Sequence, residues 1–189
     1  PAHIAFSQEI TQSVTKPISY NLSNSCGQSI TIQELCELSG NDLIERFNQV
    51  SLNYASLKGS GELRQAIIDF HLQLNPTAEI DLCDKSINHP LNLTEDNVLT
   101  FCGAQEALAA VYQSLLSAGD EIVVLTPCYP SLVTMAENIG VTVKAIALNS
   151  ADNWQLSFEQ IQKNVNANTR MIVINSPHNP SGSVVNTEL

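Results

Sequence analysis

The chain has 189 residues, 43% of them hydrophobic, which is enough for one cored domain and part of a second. Eight basic residues against 19 acidic ones leave a formal charge of -11. That balance argues against a nucleic-acid or anionic-membrane partner, since both need a basic face, and makes any phosphate ligand depend on backbone N–H groups. No apolar run is long enough to span a bilayer, and the opening PAHIAFSQEITQ lacks the basic-then-apolar order of a signal peptide. The chain starts with Pro, so it reads as processed, trimmed or a piece of something longer. Its five cysteines (Cys26, Cys36, Cys83, Cys102 and Cys128) form no Cys-x-x-Cys pair and show no ligand spacing with His3, His71, His89 or His178. A reducing compartment, the cytoplasm, is expected, with no zinc site, and with Cys102 and Cys128 as small packing residues at strand ends.

Taken in order, residues 21–29 read as loop. Thr31 caps a helix with Glu34 as its capping-box partner; Leu35 and Leu38 supply the apolar face and Gly40 ends it. A helical turn or two follows over 43–47. Residues 54–61, YASLKGSG, are a flexible loop leading into a helix over 62–74, where Leu63, Ala66, Ile67, Phe70 and Leu74 recur at helical spacing and Pro76 stops it. Residues 75–92 form a polar surface connection.

From Asn97 strand and helix alternate. Strands are expected over 98–101, 121–125, 141–148 and 171–174, and helices over 104–116, 131–138 and 158–165, with Gly119 as the stop of the first of these. Such alternation predicts a largely parallel sheet with helices on its faces. The run Met171, Ile172, Val173, Ile174 suits a strand buried on both faces.

Three turns carry chemistry. Cys102-Gly103-Ala104-Gln105 joins a strand to a helix, and a helix start offers unpaired N–H groups and a positive dipole end to an anion. It matches neither the P-loop nor the dinucleotide glycine fingerprint, which counts against a nucleotide-binding domain. Thr126-Pro-Cys-Tyr-Pro130 holds Tyr129 stiffly past a strand, either to stack on a flat ring or to pack the helix that follows. Asn175 to Gly182, NSPHNPSG, ends a strand in a Pro-rich turn with Asn179 as a neutral hydrogen-bonding group. In open α/β sheets ligands bind at the carboxyl ends of the strands. An anion cradle, an aromatic plate and an amide together suit a flat, phosphorylated aromatic ligand.

Over roughly 53–186 the chain resembles the N-terminal half of a class I/II, fold-type I aminotransferase, a family that uses pyridoxal 5'-phosphate (PLP). NSPHNPSG matches the family's Asn-Pro-x-Gly signature; YASLKGSGELRQAI, LTFCGAQEAL and GDEIVVLTPCYPSL follow in family order. The resemblance implies an α/β three-layer sandwich with a mostly parallel sheet. In that scheme residues 1–50 contribute to a small domain and 51–189 form an incomplete PLP-binding large domain. It further implies that Gly103, Ala104 and Gln105 surround the PLP phosphate, Tyr129 stacks on the pyridine ring and Asn179 hydrogen-bonds the ring's 3'-oxygen. Tyr54 would reach the phosphate of a neighbouring subunit, because these sites lie at a homodimer interface. His178 is read as a support for Asn179, and Arg64 as a structural residue that pairs with a nearby acid.

The departures matter as well. The family's reaction needs a lysine that bonds PLP as a Schiff base, an acid against the pyridine nitrogen and an arginine for the substrate carboxylate, all downstream of the signature. Only seven residues follow Gly182 here, and none of Lys16, Lys58, Lys85, Lys144 or Lys163 stands at the family's lysine position. The chain therefore reads as a fragment or truncated product with no catalytic residue of its own. The activity implied for the longer protein is transamination between an amino acid and a 2-oxo acid. A lyase, cyclase or oxidase on the same scaffold is the alternative, as is an inactive truncated product. Residues 21–40 lack the usual Gly-x-Pro opening and are similar to the openings of PLP enzymes that tailor amino acids, including arginine-derived cyclases and oxidases.

Overall fold

A computed structural model of the chain describes residues 27–40, 43–74 and 93–186. The chain divides between Tyr54 and Ala55 into two compact units. The first contains helices α1 (Ile32–Ser39) and α2 (Leu43–Asn48). α1 starts as its sequence requires: Thr31 Oγ1 accepts from the Glu34 N–H at 3.1 Å and Glu34 Oε2 accepts from the Thr31 N–H at 2.7 Å. Those bonds hold the Glu34 carboxyl below its ordinary pKa, the backbone bond more than the hydroxyl. The expected loop over 21–29 lies mostly outside the described residues, and the connection over 75–92 lies wholly outside them.

The second unit contains α3 (Gly61–Leu74), α4 (Ala104–Leu115), β1 (Glu121–Thr126), α5 (Ser131–Asn138), β2 (Thr142–Ala147), α6 (Phe158–Asn164) and β3 (Thr169–Val173). The sheet has the order β2-β1-β3 and both ladders are parallel. β1 lies between the other two strands and is buried from Glu121 to Leu125. Its alternate side chains enter two different cores. Ile122 and Val124 meet Tyr112 and Leu116 from the α4 end and Leu132 and Ala136 of α5. Val123 and Leu125 face the other way, against Ile146, Leu148, Leu156 and Ile161. The chain leaves β1 for β2 through α5, then passes back over β1 to β3 through α6. Two crossovers of one hand in opposite directions must run on opposite faces, and α5 and α6 do. The result is helix, sheet, helix: the three-layer α/β arrangement.

Several expectations need correction. Residues 98–101 are extended (Val98 has φ -121 and ψ 128) but form no strand. A strand needs a ladder, and this stretch makes one backbone bond to a distant segment, Thr100 N–H to Lys58 O at 3.1 Å; its others, Val98 N–H to Glu95 O and Gly103 N–H to Phe101 O, are local turns. β3 is not buried on both faces. It is an edge strand, with Ile172 38% and the following Ile174 47% exposed, because no described element covers its outer side. α4 ends when Leu116 turns extended to bury its side chain (φ -120, ψ 149), not at Gly119. Gly119 sits further on with φ 92, its N–H bonded to Gly140 O at 2.9 Å. Cys102 is exposed rather than packed, while Cys128 does pack against the α4–α5 core; Cys36, Cys102 and Cys128 are free thiols. Among the described residues no helix is long and apolar enough to cross a membrane.

Arg64 is structural, as expected. It is half-buried on α3, its Nε donates to Gly59 O at 3.2 Å, and its guanidinium donates to the backbone carbonyl of Glu95 and to Glu95 Oε2, the latter at 3.3 Å. This fork ties α3 to the segment that leads to α4. Glycine is needed where the two meet. Gly59 has φ 93, and a Cβ there would lie 2.1 Å from Thr100 Oγ1.

At the amino-terminal edge of the sheet Glu121 gathers the polar groups. It pairs with Lys144 of β2 at 2.9 Å, and its other oxygen accepts from Asn166 Nδ2 at 2.9 Å and Thr169 Oγ1 at 2.8 Å. The bond from Lys144 holds the Glu121 carboxyl below its ordinary pKa; burial opposes this, and Thr169 and Asn166 add to the lowering. A depressed carboxyl stabilises the fold above its unfolded pKa and loses that contribution as pH falls through the folded value. Melting temperatures of the chain and of Glu121→Gln should therefore differ near neutral pH, and the gap should close as pH drops below the unfolded carboxyl value of about 4.3. A gap that stays constant down to strong acid would contradict this account.

The edge strand generates a second expectation. β3 offers unpaired backbone groups beside exposed Ile172 and Ile174, the arrangement that templates strand pairing between molecules. The isolated chain should self-associate in sedimentation velocity, and Ile172→Lys, a charge placed on the edge, should shift the distribution toward monomer. A monomer with a sharp, reversible melt in the unaltered chain would refute this.

Candidate functional site

The parallel register fixes where the polar turns emerge. Val124 lies opposite Val173, so the chain leaves β1 at Thr126 and β3 at Asn175 along one edge of the sheet. α4 leads into β1 through a short turn and packs beside it, which returns its first turn to that same edge. The bond from Gln105 Nε2 to Ser131 Oγ at 3.0 Å joins the start of α4 to the start of α5, just beyond Tyr129. The sheet topology thus brings Gly103, Ala104, Gln105, Tyr129 and Asn179 to one edge of the second unit. Tyr54 belongs to the first unit, where it is fully exposed and its N–H donates to Asn53 Oδ1 at 2.7 Å.

At the start of α4, Gly103 is the N-cap residue with φ 93 and ψ 163. It has no side chain to cap the helix, and a Cβ there would meet nothing within 4 Å, so the space over the first turn is open. The first N–H groups of a helix have no intrahelical carbonyl, and here they lie at an exposed surface. Preceding N–H groups are already used: Cys102 donates to Glu106 Oε2 at 2.6 Å and Gly103 to Phe101 O at 2.8 Å. One of the two N–H donors of the Gln105 amide is engaged by Ser131, so Gln105 offers an anion its backbone N–H and the remaining amide N–H.

Tyr129 is half-buried between Pro127 and Pro130, and its carbonyl accepts from the Leu132 N–H at 3.0 Å. The loop is fixed from below. The buried Tyr112 hydroxyl donates to Leu132 O at 3.0 Å. Burial, and then the neighbouring Cys128, raises the Tyr112 hydroxyl above its ordinary pKa, and burial raises the Cys128 thiol as well. Both groups therefore stay neutral at physiological pH.

Asn179 is exposed at the tip of a closed turn. Its N–H donates to Asn175 Oδ1 at 2.9 Å. Behind it His178 N–H donates to Ser183 O at 2.7 Å and Gly182 N–H to His178 O at 2.6 Å. His178 itself is 3% exposed, with Nδ1 2.7 Å from Ser181 Oγ. Ser131, Ser181, Ser183 and Trp154 take part in bracing the site and were not singled out by sequence. Serines beside prolines and glycines read as ordinary turn residues, and only the tertiary contacts distinguish them.

An exposed row of helix N–H groups, an aromatic side chain and an amide on one edge fit a phosphorylated planar ligand, with the phosphate at α4. The described lysines lie elsewhere: Lys58 pairs with Asp96 at 3.1 Å, Lys144 with Glu121 at the opposite edge, and Lys163 is on α6. Among the described residues no three His, Cys, Asp or Glu side chains are grouped to hold a metal.

A family model of aminotransferase class I and II matches residues 41–189. An arginine–pyruvate transaminase of Pseudomonas aeruginosa is 30% identical over 131 residues, covering 69% of this chain and 30% of that protein. An aspartate aminotransferase of Pyrococcus horikoshii is 27% identical over 137 residues, covering 72% of this chain and 32% of that protein. Among solved structures, a mutant aspartate aminotransferase of Thermus thermophilus in complex with tryptophan superposes with a TM-score of 0.76 at 23% identity, covering 99% of this chain and 44% of the other. An aminotransferase of Mycobacterium tuberculosis gives 0.74 at 20% identity, with 99% and 43% covered. At that identity the superpositions speak for the fold, fold type I. The chain spans about a third of the length of these two curated relatives. Members of the family are generally PLP-dependent. With the family match running over most of its length and the fold agreeing, this chain belongs to the class I and II aminotransferases.

Proposed function

We propose that this chain is the PLP-binding part of an enzyme that moves an amino group between an amino acid and a 2-oxo acid. The observation that carries the reading is the convergence of three turns on one sheet edge, tied together by the Gln105–Ser131 bond, in a chain of this family. Bound there, PLP supplies an electron sink for bonds at the α-carbon of an amino acid. The first-turn N–H groups at Ala104 and Gln105, with Gly103 leaving the space over them open, hold the phosphate with the help of the helix dipole. This suits a chain of formal charge -11, which is poor in cations to spend on an anion. Tyr129 covers one face of the ring and excludes water from it. Asn179 orients the ring by hydrogen-bonding its 3'-oxygen.

Tyr54 of one copy reaches the phosphate held by a second copy, so the working form is a homodimer. Residues 1–50 belong to the small domain and 51–189 to the large one. The lysine that bonds the cofactor is contributed by polypeptide outside this chain, and the assembly works in the reducing cytoplasm, in amino-acid metabolism.

A visible-absorbance titration of the purified chain with PLP tests the reading. Saturation near one PLP per chain is expected. Tyr129→Ala should weaken binding by about threefold to tenfold, the worth of one aromatic contact. Gly103→Ala should weaken it more, since it both strains a positive φ and fills the open space over α4. Borohydride followed by intact mass should find no reduced adduct at Lys58, Lys144 or Lys163. Linear, unsaturated uptake that ignores both substitutions would refute the site.

A further inference from the structure

His178 Nε2 is buried and has no hydrogen-bond partner among the described residues. The other ring nitrogen explains what kind of atom it is. Ser183 Oγ lies 3.2 Å from the carbonyl oxygen of Trp154, and a carbonyl only accepts, so the single hydroxyl proton of Ser183 is committed to Trp154. Ser183 Oγ is also 2.9 Å from Ser181 Oγ; with its own proton used, it can only accept there, so Ser181 donates. Ser181 has then spent its own proton. It therefore accepts from the Ser183 N–H at 3.2 Å and from His178 Nδ1 at 2.7 Å, which fills both its lone pairs. The order runs one way, from His178 through Ser181 and Ser183 to Trp154, and it requires a proton on Nδ1. In the neutral ring Nε2 is then a bare lone pair.

The anchor of this relay is itself held. Among the described residues, Asn153 and Trp154 are the non-glycine residues with left-handed backbone, φ 51 and φ 59, and the Trp154 N–H donates to Asn149 O at 2.8 Å. A bulky residue in that region persists only where its surroundings over-determine it, here through packing of Trp154 against Val123, Leu125 and their neighbours.

We propose that the Trp154 carbonyl, through Ser183 and Ser181, locks His178 in the Nδ1–H tautomer, and that the locked ring is a positioning residue for Asn179 that presents Nε2 as an acceptor to an N–H or O–H donor. The tautomer stands on the relay alone; the positioning role rests on the reading of Asn179 as a contact of the cofactor. His178 N–H and C=O close the turn on Ser183 and Gly182, so a ring that cannot rotate keeps the adjoining Asn179 from rotating with it.

Solid-state ¹⁵N spectra of the histidine-labelled chain report which ring nitrogen carries the proton whatever the state of association, with His178→Gln assigning the signal. The Nδ1–H form should dominate in the unaltered chain and in Ser183→Thr, which keeps the hydroxyl. In Ser183→Ala the Ser181 proton is released to donate to Nδ1, and the Nε2–H form should grow to a major population. A dominant Nε2–H ring in the unaltered chain, or an unchanged ring in Ser183→Ala, overturns the relay; the unaltered spectrum decides the tautomer even where Ser183→Ala misfolds. In PLP titrations Ser183→Ala should bind about threefold to tenfold more weakly, the range for one lost hydrogen bond, and Ser183→Thr should bind within about twofold of the unaltered chain. Equal binding by all three overturns the positioning role. No binding by the unaltered chain overturns the cofactor reading and the positioning role with it, while the spectrum still decides the relay.

Discussion

β1 is paired on both sides and covered on both faces, and everything else in the second unit is arranged by that double burial. Six residues must satisfy two parallel ladders while sending alternate side chains into two separate cores. Ile122 and Val124 recruit α4 and α5 to one face, and Val123 and Leu125 recruit the segment around Leu156 and α6 to the other. The crossovers through α5 and α6 return the chain in the same direction each time, so both flanking strands run parallel to β1. The turns that follow β1 and β3, and the helix start that precedes β1, then have one edge on which to meet. Glu121 anchors the opposite edge by joining Lys144, Asn166 and Thr169. The site edge and the anchored edge are the two ends of the same strand.

The start of α4 has no side-chain cap of its own, so its approach is held from outside. Arg64 grips both ends of the link, Gly59 on one side and Glu95 on the other. Lys58 and Thr100 close the same gap through the Lys58 carbonyl. This division of labour leaves the first turn of α4 bare. A capping side chain at position 103 would satisfy the helix and occupy the surface that an anion needs.

Helix and strand were largely readable from pattern. Residues 131–138 form the helix that their spacing predicts, and the capping box at Thr31 and Glu34 is present in both bonds. The errors share a cause: they concern partners, which pattern does not encode. Residues 98–101 have strand composition and extended backbone but no ladder. Ile172 and Ile174 have the character of a two-sided core and stand at an edge. Leu116 belongs to the helical period, yet the gain from burying it against β1 pulls it out of the helix. In the candidate site Gly103, Tyr129 and Asn179 were legible because they sit in turns whose residue types are unusual. Ser131, Ser181 and Ser183 were not, because a serine in a turn is ordinary until its hydroxyl is seen to bridge residues far apart in the chain.

Trp154 is the single tryptophan of the chain, and its carbonyl is the far end of the hydrogen-bonded path that begins at the turn bearing Asn179. One fluorophore thus lies behind the turn that bears Asn179, packed against the core of Val123 and Leu125 and joined to the turn through two hydroxyl groups. Its emission therefore serves as a built-in gauge of that turn, separable from the four tyrosines by excitation wavelength. Ordering or loosening of the turn can be followed optically without attaching a dye or altering a residue.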